Sequence, residues 1–326
     1  MRTLKIILAT IFVLLVVYLL GPSPSTPIFS DNLPTIDSNA NLDDFVKTIE
    51  QSHKIKPNNQ ANIVWADSAK QITEYAIVYL PGFSASQMEG DPVHKQIAKK
   101  FNCNLYLARL AEHGIDTTEE MINLTAEKYW ESAKQAYAIG KRLGKKVIIM
   151  STSTGGTLSL QLAAAFPEIA GLIMYSPNIA VNNAAAPLLN NQWGLQIGRL
   201  VMKGNYVNVA YTDSAYPKYW NTHYRIEAVV ALQNLVEATM TKEAFSKIHQ
   251  PTLVLYYYKN EKEQDHVVKV SAIEKMFASI STPDSLKVLK AMPKTGNHVL
   301  ASPILSKDVE GVEKETVQFI ATKIIK

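Results

Sequence analysis

Apolar positions along this chain fall into three patterns: one long run at the start, several short runs bounded by turn residues, and stripes at helical spacing between them. Residues 6–20 are apolar apart from Thr10 and the hydroxyl of Tyr18. Short apolar runs follow at 75–80, 104–108, 147–150, 171–175 and 251–258, and a further strand is expected at 285–291, where Lys287 and Lys290 interrupt the apolar positions. Runs of that length, closed by Gly, Pro, Asn or Ser, predict strands buried on both faces. A further short strand is expected at 62–66. Helical patterns are expected at 92–101, 124–143, 157–166, 269–279 and 307–325. Leu42, Phe45, Val46 and Ile49 recur at helical spacing, so 41–54 reads as an amphipathic helix, with Asn41 or Asp43 as its cap. Strands alternating with helices predict an α/β fold with a doubly wound, mainly parallel sheet.

The alternation breaks at 178–248. This stretch is rich in Asn, Ala, Tyr and Trp and carries helical patches at 193–202 and 224–241. It reads as a helical cap inserted into the α/β domain. The whole plan is a targeting segment at 1–20, a linker at 21–40 and one domain at 41–326 with its cap at about 178–248. No internal repeat is visible.

Composition narrows this further. Of 326 residues, 47% are hydrophobic and 19% charged, which describes a globular chain with a substantial core. The net charge of +4 is spread without a basic block or an aromatic–basic patch, so nucleic acid is not an expected partner. The single cysteine, Cys103, excludes an intrachain disulfide and a multi-cysteine metal site. Arg2 and Lys5 precede the long apolar run, and Gly21-Pro22-Ser23-Pro24 follows it, the pattern of a signal anchor or signal peptide. Its core of about 15 residues is slightly short of the usual bilayer span. Large residues at its end and the lack of an A-x-A site favour an uncleaved anchor. The positive flank then stays in the cytoplasm and the domain lies outside it, bound to the membrane through this segment. Cleavage would make the protein secreted.

One stretch carries candidate chemistry. Residues 145–156 read K-K-V-I-I-M-S-T-S-T-G-G. A buried strand here enters a tight turn and leaves as a helix. Ser151-Thr152-Ser153-Thr154-Gly155 is a variant of G-x-S-x-G, which presents a serine hydroxyl on a strained strand-to-helix turn. Small residues two positions either side, Ser151 and Gly155, meet the steric demand, so Ser153 is the candidate nucleophile. A serine hydroxyl attacks a carbonyl only when an adjacent base takes its proton, usually a histidine oriented by a carboxylate. In an α/β sheet such groups come from loops at the carboxyl ends of strands. The loop after 251–258 contains Glu261, Glu263, Asp265 and His266, and the loop after 285–291 ends in Gly296-Asn297-His298. Asp265 is preferred over the two glutamates because it precedes Val267-Val268. His298 is preferred over His266. His113, in Glu112-His113-Gly114, is expected to be structural, and Ser151 a permissive small residue.

With these residues the chain resembles the α/β-hydrolase superfamily, closest to its carboxylesterase and monoacylglycerol-lipase-like branch. The resemblance rests on Leu-Pro-Gly-Phe at 80–83, Arg-Leu-Ala-Glu-His-Gly at 109–114, the serine turn, Asp-His-Val-Val at 265–268 and Gly-Asn-His at 296–298. It covers the chain from about Tyr75 onward. The order Ser153, Asp265, His298 is the order of that superfamily. Its early loop commonly reads His-Gly-Phe, and here Pro81 replaces the histidine. The resemblance implies an oxyanion hole made by the backbone N–H groups of Phe83 and Thr154. It also implies a serine hydrolase that acts on small-molecule acyl esters or lipids and needs neither metal nor organic cofactor. The same triad serves amide, peptide and thioester hydrolysis, and a non-catalytic surface module on this fold is the reading from another class. The cap aromatics Trp193, Tyr206, Tyr211, Tyr216, Tyr219 and Trp220 either line an acyl pocket or form the core of the cap.

Overall fold

The computed structural model describes residues 2–325; Met1 of the targeting segment and Lys326 of the main domain lie outside the described residues. The elements run in the order α1 (Arg2–Leu19), α2 (Leu42–Glu50), β1 (Asn62–Val64), β2 (Thr73–Leu80), α3 (Val93–Lys100), β3 (Asn104–Leu107), α4 (Ala126–Leu143), β4 (Gly144–Thr152), α5 (Thr154–Ala165) and β5 (Gly171–Tyr175). The inserted region holds α6 (Gly194–Met202), β6 (Tyr206–Asn208), α7 (Tyr216–Tyr219), β7 (His223–Arg225) and α8 (Ile226–Thr239). Then come α9 (Lys242–Ser246), β8 (Thr252–Tyr256), β9 (Tyr258–Asn260), β10 (Glu263–Gln264), α10 (Val270–Ser279), β11 (Lys287–Ala291) and α11 (Val309–Phe319).

Seven strands form the central sheet in the order β1-β3-β2-β4-β5-β8-β11. Only β1 runs antiparallel to its neighbour; the other pairs are parallel. Successive residues of a strand point to opposite faces, and here both faces are covered. Ala76, Val78, Leu80, Ile149, Leu172, Met174 and Val254 face one core with the inner sides of α4, α5 and α10. Ile77, Tyr79, Ile148, Met150, Ile173, Tyr175 and Leu253 face a second core with α3 and α11. That is why the strands read as continuous apolar runs and not as alternating ones.

The strand order reverses direction at β2. From there the chain crosses to β3 on one side and later returns to β4 on the other, so the loops leaving β2 and β4 diverge at their carboxyl ends. Such a switch point is where open α/β sheets hold ligands. Register sets the two loops side by side, with Leu80 opposite Ser151.

Two regions carry more order than their composition conveys. Residues 21–40, expected as a linker, form no helix or strand yet lie along α4. Trp130 donates its indole N–H to Ser30 O at 2.7 Å, Lys134 Nζ donates to Asn32 O at 2.7 Å, and Phe29 packs edge-on against Trp130. The inserted region is mostly helical but also contains the antiparallel ribbon β6–β7, closed by the stacked rings of Tyr206 and His223. Its long helix α8 is anchored on the domain core through Ala228, Ala231 and Leu235.

Candidate active site

β4 carries a fully buried apolar run into Ser151 and Thr152, and the chain turns at Ser153. Ser153 adopts φ 52° and ψ −117°, a conformation that residues with a Cβ rarely occupy. Four backbone hydrogen bonds hold it there, the longest from Thr157 N to its carbonyl at 3.4 Å. Its N–H donates to Tyr175 O at 2.9 Å, and its carbonyl accepts from Gly156 N at 2.8 Å and Asn178 N at 2.9 Å. The helix starts at once, at Thr154, earlier than the expected start at 157. The glycines therefore sit in its first turn. A Cβ on Gly155 would lie 2.1 Å from Leu80 O, a distance no side chain tolerates, so glycine lets α5 leave directly beside β2. Ser151, by contrast, is wholly buried within β4, its hydroxyl turned to Ile173 O.

Asp265 follows the short β9–β10 ribbon and is 1% exposed. Its Oδ1 accepts from Val267 N at 2.8 Å and Val268 N at 3.0 Å, which explains the Asp-His-Val-Val sequence as an Asx-type turn. Its Oδ2 meets His298 Nδ1 at 2.6 Å. Burial works to raise the Asp265 pKa, but the His298 charge, its hydrogen bond and the two valine amides outweigh it, and the net shift is down. For His298 burial works to lower the pKa, while the charge and hydrogen bond of Asp265, with a smaller contribution from Glu89, raise it overall. The other candidates in the Asp265 loop are elsewhere engaged: Glu261 accepts from the Tyr258 hydroxyl, Glu263 pairs with Lys259, and His266 is exposed.

Ser153, Thr154, Phe83 and His298 all line one cavity of about 520 Å³. In the loop after β2, the N–H of Gly82 is taken by Glu89 at 2.6 Å and that of Ser84 by His113 Nε2 at 3.0 Å. Phe83 N–H, between them, has no acceptor among the described residues. Thr154 is the first residue of α5, where helix geometry leaves the N–H without an intrahelical partner. Phe83 and Thr154 thus line the same cavity as Ser153. Because His113 Nε2 accepts from Ser84, its Nδ1 is the protonated nitrogen and donates to Ala111 O at 2.7 Å. Burial pushes its pKa down to about 4, so it remains a neutral strut beneath the loop.

The cap closes the cavity with Tyr211, Tyr216, Trp220 and Tyr224; Trp193, Tyr206 and Tyr219 do not line it. Tyr216 and Trp220 stack at 4.6 Å. Four polar residues of the wall escaped sequence reasoning, Glu89, Asn178, Thr212 and Asp213. Nothing local marks them, since an acid, amide or hydroxyl in a loop ordinarily reads as solvated surface.

Comparison with known proteins agrees with this architecture. No family model matches the sequence. A thermostable monoacylglycerol lipase from Bacillus sp. (strain H-257) is 23% identical over 209 residues, 64% of this chain and 77% of that protein. Among solved structures, one from a study of two metagenome-derived lipolytic enzymes, LipS and LipT, superposes with a TM-score of 0.66 at 17% identity, covering 82% of this chain and 99% of that one. Monoglyceride lipase from Saccharomyces cerevisiae, solved as a soluble variant with a substrate analogue, gives 0.55 at 13% identity, covering 82% and 92%. Est1E from Butyrivibrio proteoclasticus with ferulic acid gives 0.56 at 15% identity, covering 82% and 96%.

Proposed function

We propose that this chain, which has the fold of the lipases and esterases it resembles, is an α/β-hydrolase that hydrolyses carboxylic esters through Ser153, His298 and Asp265. The observation that carries this reading is the 2.6 Å contact between His298 Nδ1 and Asp265 Oδ2 in the wall of a cavity that Ser153 also lines. Ser153 Oγ attacks the ester carbonyl while His298 Nε2 takes its proton. Asp265 keeps the other ring nitrogen protonated and stabilises the imidazolium that forms. Charge developing on the carbonyl oxygen is met by the N–H groups of Phe83 and Thr154, donors worth about 3 kcal/mol each in such sites. The alcohol leaves with the proton from His298, and water, activated by the same histidine, then frees the acid from Ser153.

The cavity wall is mostly apolar, with Val181, Val209, Leu232 and Leu305 beside the aromatic residues of the cap. That lining suits an acyl chain, and the similarity to monoacylglycerol lipases supports a lipid or other acyl ester as substrate. The helix α1, with mean hydropathy 2.1 and no buried side chain, supports a membrane tether with the domain outside the cytoplasm. Ser153→Ala is expected to lower turnover of a short-chain aryl ester by roughly 10⁴-fold or more and to abolish labelling by a fluorophosphonate. Labelling that survives the substitution overturns the assignment. A panel of esters and thioesters of graded chain length reads out the acyl preference. Amino-terminal sequencing of membrane-extracted protein tests the tether, which a start after Leu20 would remove.

A further inference from the structure

One acid in the cavity wall has no part in the triad chemistry. Glu89 lies in the short turn Gln87–Gly90 and is 2% exposed. Unpaired carboxylates are costly to bury, and among the described residues no cationic side chain is bonded to this one. Its fixed partner is the Gly82 N–H, which donates to Oε2 at 2.6 Å. A Cβ on Gly82 would lie 3.0 Å from both carboxylate oxygens and 2.9 Å from Ser153 Cβ, so glycine lets the acid and the serine share one small space. The groups facing it come from every neighbouring element: Tyr79 on β2, Trp220 and Tyr216 from the cap, and His298 from the last loop. Next along its own segment, His94 packs edge-on against Tyr79 and bonds Gln87 O, and Asp91 also acts on Tyr79. Burial pushes the Glu89 carboxyl up to about 7, against the pull of the Gly82 N–H, His298 and Trp220.

The cap meets the loop at this point. Asn221 N donates to Ser84 O and Ser86 N to Tyr219 O, each at 2.8 Å, and Ala85 pairs with Trp220 between them. A carboxylate behind Gly82 therefore acts on a loop already fixed from the other side, and its charge faces the histidine across the site.

We propose that Glu89 is a positioning residue, its carboxylate holding Gly82 so that the next amide, that of Phe83, stays free for the oxyanion, and setting a second negative charge beside Asp265 against the His298 imidazolium. The inference rests on the ester-hydrolase reading. It has a definite sign. A second carboxylate favours the protonated imidazole, so it aids proton abstraction while moving the loss of activity at low pH to higher pH. Protonation of Glu89 removes that charge and with it the support for the imidazolium.

The test compares Glu89→Gln and Glu89→Asp with the full chain, reading kcat and KM for a short-chain aryl ester across the acidic and neutral range. Glu89→Gln keeps an acceptor for Gly82 N–H but not the charge. It is expected to leave KM within about twofold, lower plateau kcat by about tenfold and move the acidic limb to lower pH. Glu89→Asp keeps the charge and is expected to retain the limb of the unsubstituted protein at reduced kcat. A Gln variant with unchanged kcat and limb, or Gln and Asp variants with the same loss at every pH, overturns the proposal. Should the Gln variant not fold, an Asp variant whose acidic limb has moved to lower pH overturns it as well. Ser153→Ala, run alongside, separates the two readings. If it still turns over the ester, the ester-hydrolase reading fails; if it is inert while Glu89→Gln behaves as the unsubstituted protein, only the role of Glu89 fails.

Discussion

His298 and Asp265 each favour the other's charged form, and the signs of their shifts make the pair testable. In the proposed role of base, His298 would work only when neutral, and its pKa lies above the ordinary 6.5. The acidic limb of kcat/KM is therefore expected to have its midpoint above that value. Asp265→Asn removes the charge that raises it, so the limb should fall towards lower pH while kcat drops by about 10⁴-fold. A pH profile of both proteins decides. The same shifts bear on stability. The part contributed by His298 is fully present below 6.5 and is lost as pH rises through its raised folded value. The part contributed by Asp265 is present above 3.8 and is lost as pH falls through its lowered folded value. The residue types at Ser153, Asp265 and His298 were legible because each follows a recognisable strand. Glu89 was not, because only the packing of Gly82 against Ser153 reveals that an acid is buried there.

At the scale of elements, the turn from β4 into α5 is the most constrained part of the fold. Ser153 is held at positive φ by bonds from β5 and from the segment after it, and Gly155 lies against the end of β2. Gly155→Ala is expected to cost about 3 kcal/mol or more, because the atom its methyl meets is the backbone carbonyl of Leu80, which cannot swing away. Denaturant unfolding measures it, and a loss below about 1 kcal/mol would show that the strand end yields. The strands themselves were legible as apolar runs, since burial on both faces leaves no polar alternation. The β6–β7 and β9–β10 ribbons were not. They are very short, and their pairing depends on contacts across the chain more than on any local pattern.

For the whole molecule, the N-terminal region divides into two parts with different expected behaviour. Helix α1 buries none of its side chains in the domain, whereas residues 29–38 are bonded along α4. Deleting residues 2–19 is expected to leave esterase activity and melting temperature unchanged in detergent-free buffer. Deleting as far as residue 40 uncovers the core beside Phe29, Leu33 and Ile36 and takes the Asn32 carbonyl from Lys134, whose side chain is 2% exposed. A loss on the order of 3 kcal/mol should follow. Thermal melts of the two truncations, with activity assayed in parallel, test the distinction.

The chain's own order of residues determined the strand–helix alternation, the parallel sheet it implies, and the succession of a serine turn, an Asx-type turn and a loop histidine. These are local matters of periodicity, turn chemistry and spacing, and they survive without knowledge of neighbours. Tertiary structure alone decided how closely Asp265, already preferred in the sequence, approaches the histidine, which cap aromatics reach the cavity, and that residues 21–40 run along the domain. It also brought Glu89 behind Gly82. Each of these depends on pairs far apart in the chain, such as Asp265 with His298 or Trp130 with Ser30, whose proximity is set by the sheet order. The serine turn is where the two levels join: its small residues are written locally, but the carbonyl that requires glycine at 155 belongs to a strand more than a whole helix away.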